Sequence, residues 1–215
     1  MNIPEGIYLV TDKALCGERG VVETVRLAVD GGVTTVQLRD KDAGRDDLVR
    51  QLEELAGVID GRATLVVNDA LDAAVEARRR GIPIDGVHVG QSDEDATVAR
   101  AHLGPDAVVG LSASNREEFA EISTWPAGTV DYVGVGVIRP TATKKNHPPA
   151  LGIEGFGELT RIAPVPTVAI GGVGAGDIVG LRQAGAHAVA VVSAICAAED
   201  PRGVAEQMSA LWISA

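Results

Sequence analysis

The sequence predicts an α/β fold, a single (β/α)8 barrel over residues 1–215, on three observations. Eight short apolar runs alternate with eight segments of helical spacing. Hydrophobic residues make up 46% of the chain, with Ala, Val, Gly and Ile in excess and aromatics at only 3%, as short parallel strands and Ala-rich helices require. No linker or change of composition divides the chain into two domains.

The predicted strands are "IYLVTD" (7–12), "TTVQLRD" (34–40), "TLVVND" (64–69), "GVHVG" (86–90), "VVGLSA" (108–113), "YVGVGV" (132–137), "TVAIGG" (167–172) and "AVAVVSA" (188–194). After the first comes "VVETVRLAVDGG", where Val22, Val25, Leu27 and Val29 precede a Gly-Gly stop. After the second, "DDLVRQLEELAGVIDG" sets Leu48, Leu52, Leu55 and Val58 on one helical face. The segments "ALDAAVEARRRG", "DATVARAHLG", "REEFAEIS", "IEGFGELTRIA", "GDIVGLRQAG" and "RGVAEQMSALWIS" follow, several of them closed by a C-capping glycine. Such alternation calls for parallel strands joined by crossover helices.

An open doubly wound sheet is the main alternative. "GGVGAGD" (171–177) follows a strand and opens a helix, but Asp177 stands where the third glycine of a dinucleotide fingerprint belongs. The next strand, "AVAVVSAI", ends without the acidic residue that would hold a ribose. The barrel is the better reading.

A formal net charge of -11 argues against nucleic-acid or membrane-surface partners. Cys16 and Cys196 form no CxxC and no disulfide framework, which suits a reducing compartment. The start "MNIPEGIYLVTD" lacks the features of a signal peptide, and no apolar run reaches the ~20 residues of a membrane span. A cytoplasmic protein is expected, with its oligomeric state left open.

In a barrel, polar residues at strand C-termini converge on one mouth. On the second strand Gln37, Arg39 and Lys41 would share one face, opposite Val36, Leu38 and Asp40. An edge strand deterring sheet pairing would explain such cations equally well, but a closed barrel has no edge. The remaining candidates are Asn68 and Asp69, Asp93, Ser112 and Ser114, Thr141, Thr143, Lys144 and Lys145, Gly171–Gly172 and Ser193. Cations, two carboxylates and small hydroxyls together suit a phosphorylated ligand with a hard metal ion such as Mg²⁺, held by Asp69 and Asp93. Each has a plainer explanation: Asn68–Asp69 as a turn or helix cap, Asp93 as a helix cap, Gly171–Gly172 as a tight turn, Lys144–Lys145 as a solvated pair. Glycine N–H groups near the last two strands are nonetheless a recurrent phosphate cradle in barrels. The long segment 138–152, "IRPTATKKNHPPALG", lies on the same face and is of a length usually functional or disordered. His88 lies mid-strand and is expected to be packed or hydrogen-bonded. Arg26, Arg78, Arg79, Arg80 and Arg100 fall in helices and are expected on the outer surface.

The motifs "VQLRDKDA", "LVVNDALDAAV", "GVHVGQSD", "GLSASN", "DYVGVGVIRPTATKK" and "VAIGGV" occur in an order that resembles the thiamine phosphate synthase (thiamine-phosphate pyrophosphorylase) family over nearly the whole chain. The resemblance implies a barrel transferase. It would join 4-amino-5-hydroxymethyl-2-methylpyrimidine diphosphate to 4-methyl-5-(2-phosphoethyl)thiazole with Mg²⁺, releasing diphosphate and forming thiamine phosphate. Carried over by position, Gln37, Arg39, Lys41, Asn68, Ser112 and Lys144 match contacts to the pyrimidine diphosphate. Asp69 and Asp93 match the metal ligands. Thr141, Thr143, Gly172, Val192 and Ser193 match contacts to the thiazole phosphate. Arg39, Lys41 and Lys144 would stabilise the leaving group. Val137 and Arg139 depart from the family's pattern of a proline and an aromatic before "PT", which bears on the shape of the loop after the sixth strand. A thiazole tautomerase-like relative and a non-catalytic phosphate-binding barrel are the alternatives. The first needs neither metal nor second anion site, and the second would show degenerate motifs.

Overall fold

The computed structural model describes residues 3–91, 95–141 and 149–215. Eight parallel strands close in sequence order: β1 Gly6–Val10, β2 Val33–Leu38, β3 Thr64–Asn68, β4 Gly86–Val89, β5 Val108–Ser112, β6 Tyr132–Val135, β7 Thr167–Ile170 and β8 Ala188–Val191. The helices are α1 Lys13–Cys16, α2 Gly20–Asp30, α3 Arg45–Ile59, α4 Leu71–Arg79, α5 Ala96–Leu103, α6 Arg116–Ile122, α7 Gly152–Thr160, α8 Ile178–Gln183, α9 Ser193–Cys196 and α10 Pro201–Ser214. The predicted barrel is therefore the observed fold. No helix among the described residues is long and apolar enough to cross a membrane.

Strand alternation divides the apolar side chains between two clusters. Ile7, Leu9, Val36, Leu38, Val87 and Val89 face outward and pack under the helices with Val25, Leu52 and Leu55. Tyr8, Val10, Val66, Val108, Tyr132, Val168, Ala188 and Ala190 face inward and fill the barrel. Burial on both faces makes each strand a continuous apolar run, which is why all eight are visible in the sequence. Gly110 makes room for the interior aromatics: a Cβ there would stand 2.2 Å from Tyr132 Cζ.

The boundaries depart from expectation where polar residues continue a strand's pattern. β2 ends at Leu38 and β6 at Val135, so Arg39, Asp40, Gly136 and Val137 belong to the loops of the mouth. The eighth strand stops at Val191, and Ser193 opens α9 instead of closing a strand. α1 and α9 are four residues each, too short for a periodic signature. Arg100 is a correction: its side chain is only 15% exposed and pairs with Asp131 at 2.6 Å, while also donating to the Gly104 and Ala107 carbonyls. It ties α5 to the segments entering β5 and β6 instead of facing solvent.

Candidate active site

The mouth is built from the C-terminal ends of the strands. Gln37 is 4% exposed on the inner face of β2, and its Nε2 donates to Tyr8 Oη at 2.7 Å. Arg39, one residue past β2 and half-buried, is fixed by its backbone N–H, which donates to buried Thr11 Oγ1 at 2.9 Å. Asp40 turns the other way, its Oδ2 accepting from Gln51 Nε2 of α3 at 3.3 Å. Asp40 is thus directed away from Gln37, as the alternation expects. Lys41 lies in an exposed turn beyond the strand, so strand geometry does not align it with Gln37.

At the end of β3, Asn68 Nδ2 donates to Asp69 Oδ2 at 2.5 Å, and the Asp69 N–H donates to the His88 carbonyl at 2.8 Å. Asp69 has φ +57°; Asp60, at the C-cap of α3, is the other described non-glycine residue with positive φ. Such a conformation is uncommon outside glycine and concentrates at functional sites. The capping explanation for Asp69 fails, because the N-cap of α4 is Ala70, without a side-chain cap. The N-cap of α5 is Asp95, whose carboxylate accepts from the Thr97 N–H at 2.7 Å. Asp93, the other expected metal ligand, lies outside the described residues, as do Thr143, Lys144 and Lys145.

Ser112 ends β5, its Oγ 3.0 Å from His88 Nε2. His88 Nδ1 lies 2.9 Å from Tyr132 Oη, which lies 2.7 Å from Tyr8 Oη. His88 is thus hydrogen-bonded, as its mid-strand position suggested. Burial pushes both phenols far above their ordinary pKa, so Tyr8 and Tyr132 stay protonated. These tyrosines, buried beneath the mouth and bonded to Gln37 and His88, are not revealed by the motifs; their inward parity on β1 and β6 was the available signal. Ser114 Oγ accepts from the Gly136 N–H at 3.2 Å and braces the start of the loop after β6.

That loop is closed at its base, where the Leu151 N–H donates to the Val137 carbonyl at 2.8 Å. The Arg139 N–H donates to the Gly171 carbonyl at 2.9 Å, laying the loop along the turn after β7. Gly172 has φ +68°, and a Cβ there would lie 2.7 Å from the Arg139 carbonyl oxygen, so the approach requires glycine. Thr141 is half-buried beyond this contact. Pairing of Ile170 with Ala190 sets the turn beside the end of β8, where Val192 caps α9 and Ser193 is exposed. Gln37, Arg39, Asn68, Asp69, Ser112, Thr141, Gly172, Val192 and Ser193 thus all end strands or open loops at one face.

A closed parallel barrel with polar groups gathered at its C-terminal mouth is the arrangement of a barrel enzyme. The family model for thiamine monophosphate synthase matches residues 7–195. A thiamine-phosphate synthase of Psychrobacter sp. is 44% identical over 204 residues, covering 95% of this chain and 93% of that protein. One from Azorhizobium caulinodans is 47% identical over 195 residues, covering 90% and 88%. A solved thiamine phosphate pyrophosphorylase from Pyrococcus furiosus superposes with a TM-score of 0.83 at 29% identity, covering 97% and 96%. The chain belongs to the thiamine monophosphate synthase family. It is an enzyme, a transferase.

Proposed function

We propose that this chain, as one catalytic barrel over residues 1–215, joins 4-amino-5-hydroxymethyl-2-methylpyrimidine diphosphate to 4-methyl-5-(2-phosphoethyl)thiazole. The products are thiamine phosphate and diphosphate. One observation carries the site assignment: residues of motifs far apart in sequence end neighbouring strands at a single mouth, in a chain of this family.

The pyrimidine amino group donates electrons into its ring, so the CH₂–O bond breaks as diphosphate departs. Arg39 and Lys41, with Lys144 from outside the described residues, stabilise the negative charge that grows on the leaving group. The thiazole nitrogen then forms the new C–N bond with its own lone pair. It carries no proton to remove, so no general base is called for. Gln37, Asn68 and Ser112 orient the pyrimidine. Thr141, Thr143, Gly172, Val192 and Ser193 hold the thiazole phosphate, so that the chain contributes alignment as well as charge.

The donor chemistry fits a hard divalent cation. Asp69 offers a carboxylate at the mouth that is not spent on capping α4, and Asp93 would be its partner. Mg²⁺ bound there would supply further positive charge to the departing diphosphate. The two free, buried thiols of Cys16 and Cys196 fit a reducing compartment such as the cytoplasm. The partners are two phosphorylated small molecules, and the chain's acidity weighs against nucleic acid.

The test is incubation with both substrates and Mg²⁺, following thiamine phosphate by chromatography and diphosphate by a coupled assay. Stoichiometric formation of the two supports the function. Absence of both, with tautomerisation of a thiazole instead, overturns it. Asp69→Ala is expected to reduce Mg²⁺-dependent turnover by at least ~100-fold, the scale of removing a charge-stabilising group.

A further inference from the structure

A chain of hydrogen bonds crosses the barrel from β2 to β5 beneath the mouth. It runs from Gln37 Nε2 to Tyr8 Oη (2.7 Å), Tyr132 Oη (2.7 Å), His88 Nδ1 (2.9 Å) and, from His88 Nε2, to Ser112 Oγ (3.0 Å). Its inner members are sealed from solvent, with Tyr8 1%, Tyr132 0% and His88 8% exposed.

Donor and acceptor rules give this chain a direction. An amide nitrogen only donates, so Tyr8 Oη accepts from Gln37. The Tyr8 proton then goes to Tyr132, the remaining hydrogen-bond partner of Tyr8 among the described residues. Tyr132 in turn donates to His88 Nδ1, which places the imidazole proton on Nε2. His88 Nε2–H donates to Ser112 Oγ, and Ser112 is left to donate its own proton to whatever occupies the mouth. Run the other way, the buried Tyr8 hydroxyl would have no acceptor in this chain, at a cost of about 1–3 kcal/mol. At the β2 end, commitment of the Gln37 amide nitrogen to Tyr8 leaves Oε1 as the end available to a ligand.

We propose that Tyr8, Tyr132 and His88 are positioning residues that set Gln37 as acceptor and Ser112 as donor. The pair thereby selects a 4-aminopyrimidine over its 4-oxo counterpart. An exocyclic amino group donates and its neighbouring ring nitrogen accepts, matching this floor. A 4-oxo ring presents a carbonyl acceptor and a ring N–H donor, the reverse pattern. Mismatched polar groups in a closed pocket are left unpaired, which is the strongest source of discrimination available to a binding site. This assignment rests on the proposed function and deepens it, since the three residues act through Gln37 and Ser112 and touch no reacting atom.

The experiment compares calorimetric binding of the pyrimidine diphosphate and its 4-oxo analogue, each with Mg²⁺ and without the thiazole, to the full chain and to Tyr132→Phe. Tyr132→Phe removes one oxygen from the middle of the chain and keeps the ring. The amino-over-oxo preference is expected to fall about tenfold, the worth of one net hydrogen bond. The KM for the thiazole phosphate stays within about twofold, because none of Thr141, Thr143, Gly172, Val192 and Ser193 belongs to the hydrogen-bonded chain. His88→Gln, which can keep an N–H near the Nε2 position, retains more of the preference than His88→Leu. Tyr8→Phe cuts the chain one link earlier and substitutes if Tyr132→Phe does not fold. An unchanged preference in a folded variant, beside an active parent protein, overturns the inference alone. An inactive parent protein overturns the proposed function and is a separate result.

Discussion

Arg139 and Asp177 lock two loops of the mouth together, with Arg139 Nε and Nη2 3.1 and 2.8 Å from the same carboxylate oxygen, Oδ1. The second oxygen of Asp177 accepts from the Gly174 N–H at 3.2 Å. The arginine that departs from the family's loop pattern is thus paired with the aspartate that spoils a dinucleotide fingerprint. The Arg139 side chain is 49% exposed, so breaking the pair costs no more than about 1 kcal/mol of stability. Its geometric effect is larger, because Arg139 also fits against Gly172. Asp177→Ala is expected to raise the KM for the thiazole phosphate about tenfold, with that for the pyrimidine diphosphate little changed. Steady-state kinetics with each substrate varied in turn checks this.

Gly110 and Gly57 should respond to alanine in opposite ways. At Gly110 the new methyl meets the Tyr132 ring, and at Gly57, on the exposed side of α3, it meets nothing within 4 Å. Gly110→Ala should cost about 3 kcal/mol or more, the upper range for overpacking a core. Gly57→Ala should stabilise by about 0.5–1 kcal/mol through helix propensity. Urea denaturation of the two variants reads both signs.

Arg100→Leu removes the partner of a carboxylate whose side chain is only 6% exposed. Asp131 keeps the Val109 N–H donor at 2.8 Å but loses its guanidinium partner in a largely dry setting. A loss of about 3–5 kcal/mol is expected, the usual result of breaking a buried ion pair by removing one partner. Adding Asp131→Asn should recover part of it, and a double-mutant cycle by urea denaturation measures how much.

Acid should weaken α4 through Glu76. Arg79 and Arg80 both donate to this carboxylate, at 2.7–2.9 Å, and hold its pKa down to about 2 from an ordinary 4.5. A depressed carboxylate pKa stabilises the fold above the unfolded value, and that contribution is lost as pH falls from about 4.5 toward 2. Thermal melts across this range should show wild type and Glu76→Gln converging as pH drops. Parallel curves would sink the assignment.

Legibility in the sequence followed burial. Eight strands buried on both faces announced themselves as apolar runs, and their count was enough for the barrel. Their C-terminal limits were less visible, because Arg39 and Asp40 continue the alternation of β2 after its hydrogen bonding has ended. Arg100 reads as a surface residue because a helical pattern marks which face is polar, not which polar group is covered by a neighbouring loop. Gln37 and Ser112 were found as separate motif positions. The tyrosines between them were not, since a phenol on an inward face looks like core until its partners across the barrel are known. Cys16 and Cys196, distant in sequence, are both buried where α1 and α9 meet, a contact between two four-residue helices that no periodicity reports.

The inward cluster around Tyr8 and Tyr132 makes the barrel a cup, not a tunnel. Ile3, Val66, Val108, Val168 and Ala188 stop it from beneath, each at most 2% exposed. On the proposed function, two substrates and two products would share one doorway. On the proposed assignment the pyrimidine ring rests deepest, against Gln37 and Ser112, and its diphosphate lies nearer the rim. Traffic would then run as in a stack: the ring first in, the diphosphate leaving over the top of it, and the joined product departing last.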